Sequence, residues 1–296
     1  MACPLCAGKG YRFENREGYD IVVPCDCQQG SRFQRHLFEA DIPKEYWGQT
    51  LLTHPKDGRK TLLAGGPARS RVKVSSGPGY HETASSQTLA LRHCRALVEE
   101  YLQHFVHGQS NSTRGLLLYG PCGIGKTCIL ATLLVDLVYA GLHDVLFVDY
   151  SHLMRRIRYS YQIKQGESEE VILGPIIRAK VVVLDDLGGE TTENLAWVQD
   201  IFGYILTERQ ALQLPTLIST NFPDELDYPP ETKSHGSEGA RTRTFLVDRI
   251  GIRLRSRLYE ACPRLVMAGK DLRPLLKPEI AGGKYPICPR NQPESP

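Results

Sequence analysis

Leu116-Leu117-Leu118-Tyr119, Gly120-Pro121-Cys122-Gly123-Ile124-Gly125-Lys126-Thr127 and Cys128-Ile129-Leu130-Ala131-Thr132-Leu133-Leu134 follow one another without a break. An apolar run of strand length, a glycine-rich loop and a helix start in that order form the context a phosphate-binding loop requires. The glycines let backbone N–H groups wrap a phosphate, and the helix N-terminus adds a favourable dipole. Lys126 is placed to reach the β- and γ-phosphates of a nucleotide, and the Thr127 hydroxyl to bind Mg²⁺. Residues Gly120 to Cys128 are therefore the candidate nucleotide cradle. An ordinary glycine-rich turn between strand and helix does not account for Lys and Thr directly after the last glycine.

Working outward, buried-type strands recur with helices between them. Val145-Leu146-Phe147-Val148-Asp149 reads as a strand, followed by a helix carrying Leu153, Ile157 and Tyr161. Val181 to Asp186 is a second strand, and a helix over residues 194–210 leads to a third, Pro215 to Asn221. Strands alternating with helices predict an α/β fold with a parallel sheet covered on both faces. A further helix is expected from Ser85 to Phe105, with Leu89, Cys94, Leu97, Val98, Leu102 and Phe105 on one side. Residues 31–60 read as a short helix, Arg32 to Glu39, and an irregular segment with Ile42, Pro43, Tyr46 and Trp47. The Gly/Ser/Pro-rich stretch 64–82 reads as a flexible insertion. Residues 229–243 and the Pro-rich tail 278–296 have the composition of disorder.

The composition excludes several classes. Hydrophobic residues make up 41% and charged residues 23%, ordinary values for a globular protein, and no apolar run approaches the ~20 residues of a membrane span. The start, Met-Ala-Cys-Pro, lacks the apolar stretch of a secretory signal, so a cytoplasmic location is expected. There the nine cysteines are expected as ligands or buried thiols rather than disulfides. Net charge is only +3, but residues 241–277 hold ten Lys/Arg against Asp248, Glu260 and Asp271. That block suits phosphate, whether of a nucleotide or of nucleic acid.

Acidic and polar residues at strand ends supply the chemistry that a bound nucleotide would need. Asp185, at the C-terminal end of its strand, would hold Mg²⁺ beside Thr127. Asp186 would orient or deprotonate an attacking water. Asn221, closing Ser219-Thr220-Asn221, would contact the γ-phosphate or that water. Arg249, Arg253 and Arg257 recur at four-residue spacing on a predicted helix whose apolar side carries Ile250, Leu254 and Leu258, and Arg273 follows. Arginine, always protonated and forked, suits developing phosphate charge, though a solvated basic face, or one that pairs with acids, would show the same spacing. On the helix after the second strand, Arg155, Arg156, Arg158, Tyr159, Tyr161 and Lys164 suit a single-strand track of phosphate contacts and base stacking.

The first 30 residues are a separate constellation. Cys3 and Cys6, then Cys25 and Cys27, form two close pairs that can place four thiolates around one structural Zn²⁺, with Tyr11-Arg12-Phe13 and Tyr19 to Val23 as a hairpin between them. The second pair is C-x-C rather than the commoner C-x-x-C, and a redox or free-thiol cluster remains the other reading.

Taken together, Gly120–Thr127, Val181–Gly188 and Ser219–Asn221 resemble the Walker A, Walker B and sensor-1 motifs of AAA+ ATPases, and more narrowly those of DnaC/DnaI-type helicase loaders and IstB-like transposition helpers. Ile252 to Leu258 resembles their arginine-finger segment, Gly269 to Arg273 their short sensor-2 ending, and the cysteine pairs with Ile42-Pro43-x-x-Tyr46 the start of many loaders. The resemblance implies a P-loop NTPase core with a five-stranded parallel sheet over residues 83–277, a connector over 31–82 and a zinc module over 1–30. It also implies ATP and Mg²⁺ as cofactors, and slow hydrolysis stimulated by DNA or a partner. Lys126, Asp185, Asp186, Asn221 and Arg273 are the implied residues of the subunit's own site. Arg257 is the implied finger toward a neighbouring subunit, with Arg253 as its alternative. Asp186 stands where many AAA+ proteins carry a longer Glu. The implied partners are a hexameric replicative helicase or a transposase, single-stranded DNA, and further copies of the chain in the ATP state. A zinc-bearing DNA-binding adaptor that binds nucleotide with little turnover stays open beside these.

Overall fold

A computed structural model describes residues 11–16, 19–24, 26–53, 59–62, 80–109, 114–162, 167–190, 194–227, 244–271 and 273. Its centre is a parallel sheet made of β5 (Leu116–Tyr119), β6 (Val145–Asp149), β7 (Val181–Asp185), β8 (Thr216–Thr220) and β9 (Arg264–Val266), in the spatial order β6-β7-β8-β5-β9. The expected α/β fold with five parallel strands is therefore what the chain adopts. The fifth strand, β9, is too short and too mixed in composition to announce itself in the sequence. It is fixed by pairing, with Leu118 opposite Leu265.

Both faces of the sheet are buried, and alternate residues of each strand serve opposite faces. Leu116, Leu118, Phe147, Val181, Val183 and Leu217 belong to the core shared with α2 (Tyr80–Phe105) and α3 (Lys126–Tyr139). Leu117, Val148, Val182, Leu184 and Ile218 belong to the core on the other face, under α4 (Tyr150–Ser160), α5 (Glu169–Arg178), α6 (Leu195–Ala211) and α7 (Leu246–Ala261). The two-sided apolar runs seen in the sequence are this arrangement.

Several boundaries and faces differ from expectation. Helix α1 runs from Asp26 to Glu39, so it starts inside the cysteine-rich segment and includes Cys27. Helix α2 begins at Tyr80, inside the stretch expected to be flexible. Its buried face is Gln87, Ala90, Leu91, Cys94, Leu97, Val98 and Tyr101, while Leu89 points to solvent, being two residues out of phase with Leu91. Tyr161 is likewise exposed, because α4 ends at Ser160. Helix α5 was not anticipated, since Gly174 and Pro175 interrupt its pattern. Ser168 caps it with its side chain on the Val171 N–H, and Glu169 and Glu170 sit in its first turn, where the helix dipole favours them.

Residues 40–53 and 59–62 pack against the sheet domain. Ala40, Ile42, Leu51 and Leu62, with Leu37 of α1, are buried in the core of α2 and α3. Two short strands there, β3 (Gln49–Thr50) and β4 (Lys60–Thr61), pair in parallel. Asp136 of α3 ties them down, accepting from Thr50 Oγ1 at 2.7 Å, the Leu51 N–H at 2.7 Å and Arg59 at 2.5 Å. Edge strand β6 is covered in part by the same segment, the Phe147 N–H donating to Ala40 at 2.8 Å. The expected hairpin forms as β1 (Tyr11–Arg16) and β2 (Tyr19–Pro24), antiparallel with Tyr11 opposite Pro24. Cys3, Cys6 and Cys25, Lys164, residues 229–243 and the tail lie outside the described residues. Among the described residues no helix is long and apolar enough to cross a membrane.

Candidate functional site: a phosphate loop at the mouth of the sheet

Parallel strands present their C-terminal ends on one edge, and the loop residues 120–127 join the end of β5 to α3 there. Gly123 has φ 78° and Gly125 φ 94°, the left-handed region that glycine enters without strain. Gly125 is also the N-cap of α3 and offers no side-chain cap, so the first-turn N–H groups face an anion site instead. A Cβ on Gly123 would run into the Asp271 carboxylate, which brings the 269–273 segment against the loop.

Lys126 is buried, and its ammonium donates to Gly120 O at 2.8 Å, Pro121 O at 2.9 Å and Asn221 Oδ1 at 2.6 Å. Burial lowers its pKa to about 8, with Cys122, Asp185 and Asp186 acting in the opposite sense and the Arg273 charge lowering it further. Thr127 Oγ1 lies 3.0 and 2.9 Å from the two oxygens of Asp185. Ser219 Oγ donates to Asp185 Oδ1 at 2.5 Å and accepts the Asp186 N–H at 2.9 Å. Burial raises the Asp185 pKa, and the hydrogen bonds of Ser219 and Thr127 hold it back. Asn221 Nδ2 donates to Asp186 Oδ1. The strand order produces this contact, since β8 lies between β5 and β7 and puts Asn221 between Lys126 and Asp186.

The structure thus brings Lys126, Thr127, Asp185, Asp186 and Asn221 into one network. Thr127 and Asp185 offer hard oxygen donors of the kind Mg²⁺ takes, so this donor set fits that ion. Arg273 stands beside the network by its effect on Lys126, and its N–H donates to Asp271 Oδ1 at 2.9 Å. Arg257 stands elsewhere, exposed on the face where α7 meets α6, with a hydrogen bond to Thr207 at 2.9 Å. Arg253 is exposed beside it and lines the same 770 Å³ groove.

The three evenly spaced arginines of α7 do not share one environment, and pairing with an acid is what Arg249 shows. Gly251, at φ 77°, breaks the helix, and its arginines divide by task. Arg249 is half-buried against Glu190 at 3.0 Å, and Arg255 is buried against Asp224. Four-residue spacing concealed this, because Arg255 lies off that spacing and a kink changes the phase. Tyr46 was quoted only as part of a pattern. The charges of Asp185 and Arg273 both bear on its hydroxyl, whose pKa burial raises, so the 44–46 turn borders the site. Arg155, Arg156, Arg158 and Tyr159 of α4, and Tyr161 just past its end, are all exposed. Arg156 pairs with Glu167, and Arg158 lies 5.7 Å from the Trp197 ring. Among the described residues no cluster of His, Cys, Asp or Glu could hold a metal as a group of three or more.

A phosphate loop between strand and helix, a threonine against a strand-end aspartate and an asparagine on the strand between them define a P-loop nucleotide-binding domain. Within that class the chain is similar to the replicative helicase loader DnaI of Bacillus subtilis, 30% identical over 168 residues, which are 56% of this chain and 49% of that protein. The chain therefore spans about half the length of the curated relative it matches. No protein-family model matches it. Among solved structures, a DnaC helicase loader is similar at 24% identity and TM-score 0.48, covering 76% of this chain and 99% of that one. A DnaI structure is similar at 21% and 0.46, covering 78% and 94%, and AMPPCP-bound DnaA from Aquifex aeolicus at 16% and 0.44, covering 65% and 48%. All three scores fall below 0.5, so the fold stands on its own strand order and site geometry.

Proposed function

We propose that the chain is an AAA+ ATPase of the helicase-loader type. The observation that carries the reading is the continuous polar network from Lys126 through Asn221 to Asp186 and from Thr127 through Asp185 to Ser219. Such a network touches the β- and γ-phosphates, the metal and the attacking water together. In this reading Lys126 exchanges its loop carbonyls for phosphate oxygens. Thr127 and Asp185 hold Mg²⁺, which would supply charge neutralisation between the β- and γ-oxygens. Asp186 orients the water, Asn221 ties that carboxylate to the phosphate side, and Arg273 adds charge in the same subunit. The short aspartate predicts slow turnover.

Arg257 is proposed as the finger toward a neighbouring copy, since its exposed position suits a charge supplied in trans; Arg253 is the alternative. The proposed partners are a hexameric replicative helicase and single-stranded DNA, the latter along Arg155, Arg156, Arg158 and Tyr159 of α4 and Tyr161 beyond it. Similarity to a replicative loader favours this partner over a transposase. The zinc reading of Cys3, Cys6, Cys25 and Cys27 is retained. It is supported by the β1–β2 hairpin, which brings together the chain positions that the two cysteine pairs flank in sequence.

The test is ATP hydrolysis with and without single-stranded DNA, and capture of a hexameric helicase by the intact chain. Stimulated turnover that is lost in Asp186→Asn supports the reading. Nucleotide binding with no turnover in either condition replaces it by the adaptor. Arg257→Ala is expected to lose the stimulation with ATP binding intact; unchanged activity in that variant would sink the trans role.

A further inference from the structure

We infer that Arg249 is a positioning residue for hydrolysis, holding the two loops that carry Asp186 and Asn221 in one fixed relation. The inference rests on the reading of Asp186 as the residue that orients the attacking water. Two loops leave the mouth of the sheet side by side, 186–190 after β7 and 221–227 after β8. Asp186 has φ 59°, a left-handed conformation unfavourable for a non-glycine residue, so its carboxylate is aimed by what surrounds it. Arg249 enters from α7. Its guanidinium donates to Gly188 O at 2.8 Å, to Glu190 O, and to Glu190 Oε1 at 3.0 Å. The same group lies 5.5 Å from the ring of Phe222, the residue after Asn221.

One side chain therefore grips the first loop by hydrogen bonds and meets the second with its charge over the Phe222 ring. Lysine lacks the fork that makes these hydrogen bonds together. The space between the loops is closed: a Cβ on Gly188 would lie 2.9 Å from Phe222 Cδ2 and 3.4 Å from Arg249 Cβ. Arg249 is itself fixed, its carbonyl accepting from Gln199 of α6 at 3.2 Å. Glu190 Oε1 takes the Arg249 bond, while its buried Oε2 has no hydrogen-bond partner among the described residues. Burial raises the pKa of this carboxylate, and the residue's own backbone N–H and Arg249 both hold it back. Across the two loops the Asn221–Asp186 hydrogen bond closes the circuit.

The experiment uses the full chain and measures ATP hydrolysis with single-stranded DNA, binding of a fluorescent ATP analogue, and thermal melting. Arg249→Gln is expected to lower kcat about tenfold, the scale of misaiming one acid–base group, with analogue affinity changed less than about twofold. Arg249→Lys, the milder variant that keeps the charge, is expected to fall between Gln and wild type, and carries the test if Arg249→Gln melts below assay temperature. In an Asp186→Asn background the Arg249 substitutions are expected to leave the residual rate, read by single-turnover hydrolysis at high enzyme concentration, where it stands, because the group they aim is gone. Losses that multiply in the double variant overturn the inference, as does wild-type kcat in both Arg249 variants while Asp186→Asn is inactive. Parallel falls in affinity and melting temperature without a kcat effect also overturn it, since they mark a purely structural contact. Wild-type turnover in Asp186→Asn overturns the site reading beneath it instead.

Discussion

Two buried cations sit at opposite ends of the sheet, and they are held differently. At the C-terminal mouth, Lys126 is bound by two carbonyls of its own loop and by the Asn221 side chain. At the N-terminal end, Arg209 of α6 is fully buried and donates to Ile176 O at 2.7 Å, Ala179 O at 2.7 Å, Pro215 O at 2.6 Å and Thr216 Oγ1 at 2.9 Å. Burial lowers both pKa values, to about 8 for Lys126 and about 10 for Arg209. The partners of Arg209 are chain ends of α5 and β8 that have no substitute, so its charge is a clamp. Two of the three partners of Lys126 are carbonyls of the loop before α3, whose N-cap has no side-chain cap, and under the proposed function a phosphate would replace them. The difference teaches that a buried charge is structural when its partners are fixed ends of packed elements, and available for function when its partners can be exchanged.

Removing each cation should break the two regions in different ways. Arg209→Met leaves several buried carbonyls without donors, each worth ~1–3 kcal/mol, so a net loss of at least about 3 kcal/mol is expected. At ~2–4 °C per kcal/mol for a domain of this size, melting should fall by roughly 6–12 °C. Nucleotide affinity of the folded fraction should stay as it was. Lys126→Ala should do the reverse. Losing a charge-assisted phosphate contact is expected to cost about 1.5–3 kcal/mol of nucleotide affinity, roughly 10–100-fold. Melting of the ligand-free variant should not fall, because a desolvated ammonium has been removed. If both variants lose stability equally, the distinction between clamp and exchangeable site fails.

What could be read beforehand divides along the same line. Lys126, Thr127, Asp185, Asp186 and Asn221 were legible because each follows an apolar strand or a glycine turn, so local pattern places them on one edge. Arg209 gave no signal, since one arginine near a helix end looks like any surface charge until the fold closes over it. Arg249 was singled out by its spacing but its partner Glu190 was not, and Arg255 lies off that spacing beyond the Gly251 kink, so neither ion pair could be read before the fold was known. Strand β9 and helix α5 were missed because pairing and capping, rather than hydrophobic period, define them. Leu89 was misplaced, and Leu91 and Tyr101 passed over, because the stripe was set on Leu89 rather than on Leu91.

The smallest expected effect is also the one most particular to Lys126. Its free-state value of about 8 means that at pH 9 about nine-tenths of the ligand-free chains carry a neutral amine there. A triphosphate is fully ionised at that pH and favours the ammonium, so binding should take up close to one proton at pH 9 and little at pH 7. Titration calorimetry in buffers of different ionisation enthalpy reads this uptake directly. Apparent affinity should accordingly weaken above pH 8, by at most tenfold per unit, about 1.4 kcal/mol. Stability runs the other way. Burial lowers the folded value below the unfolded 10.5, so between about 8 and 10.5 the unfolded chain holds more protons at this site. The contribution of Lys126, taken as wild type minus Lys126→Ala, must then rise with pH through that window. Arg209, still charged across most of it, should give no such pair of opposed slopes. Uptake that is absent at pH 9 would mean that Lys126 does not exchange its carbonyls for phosphate.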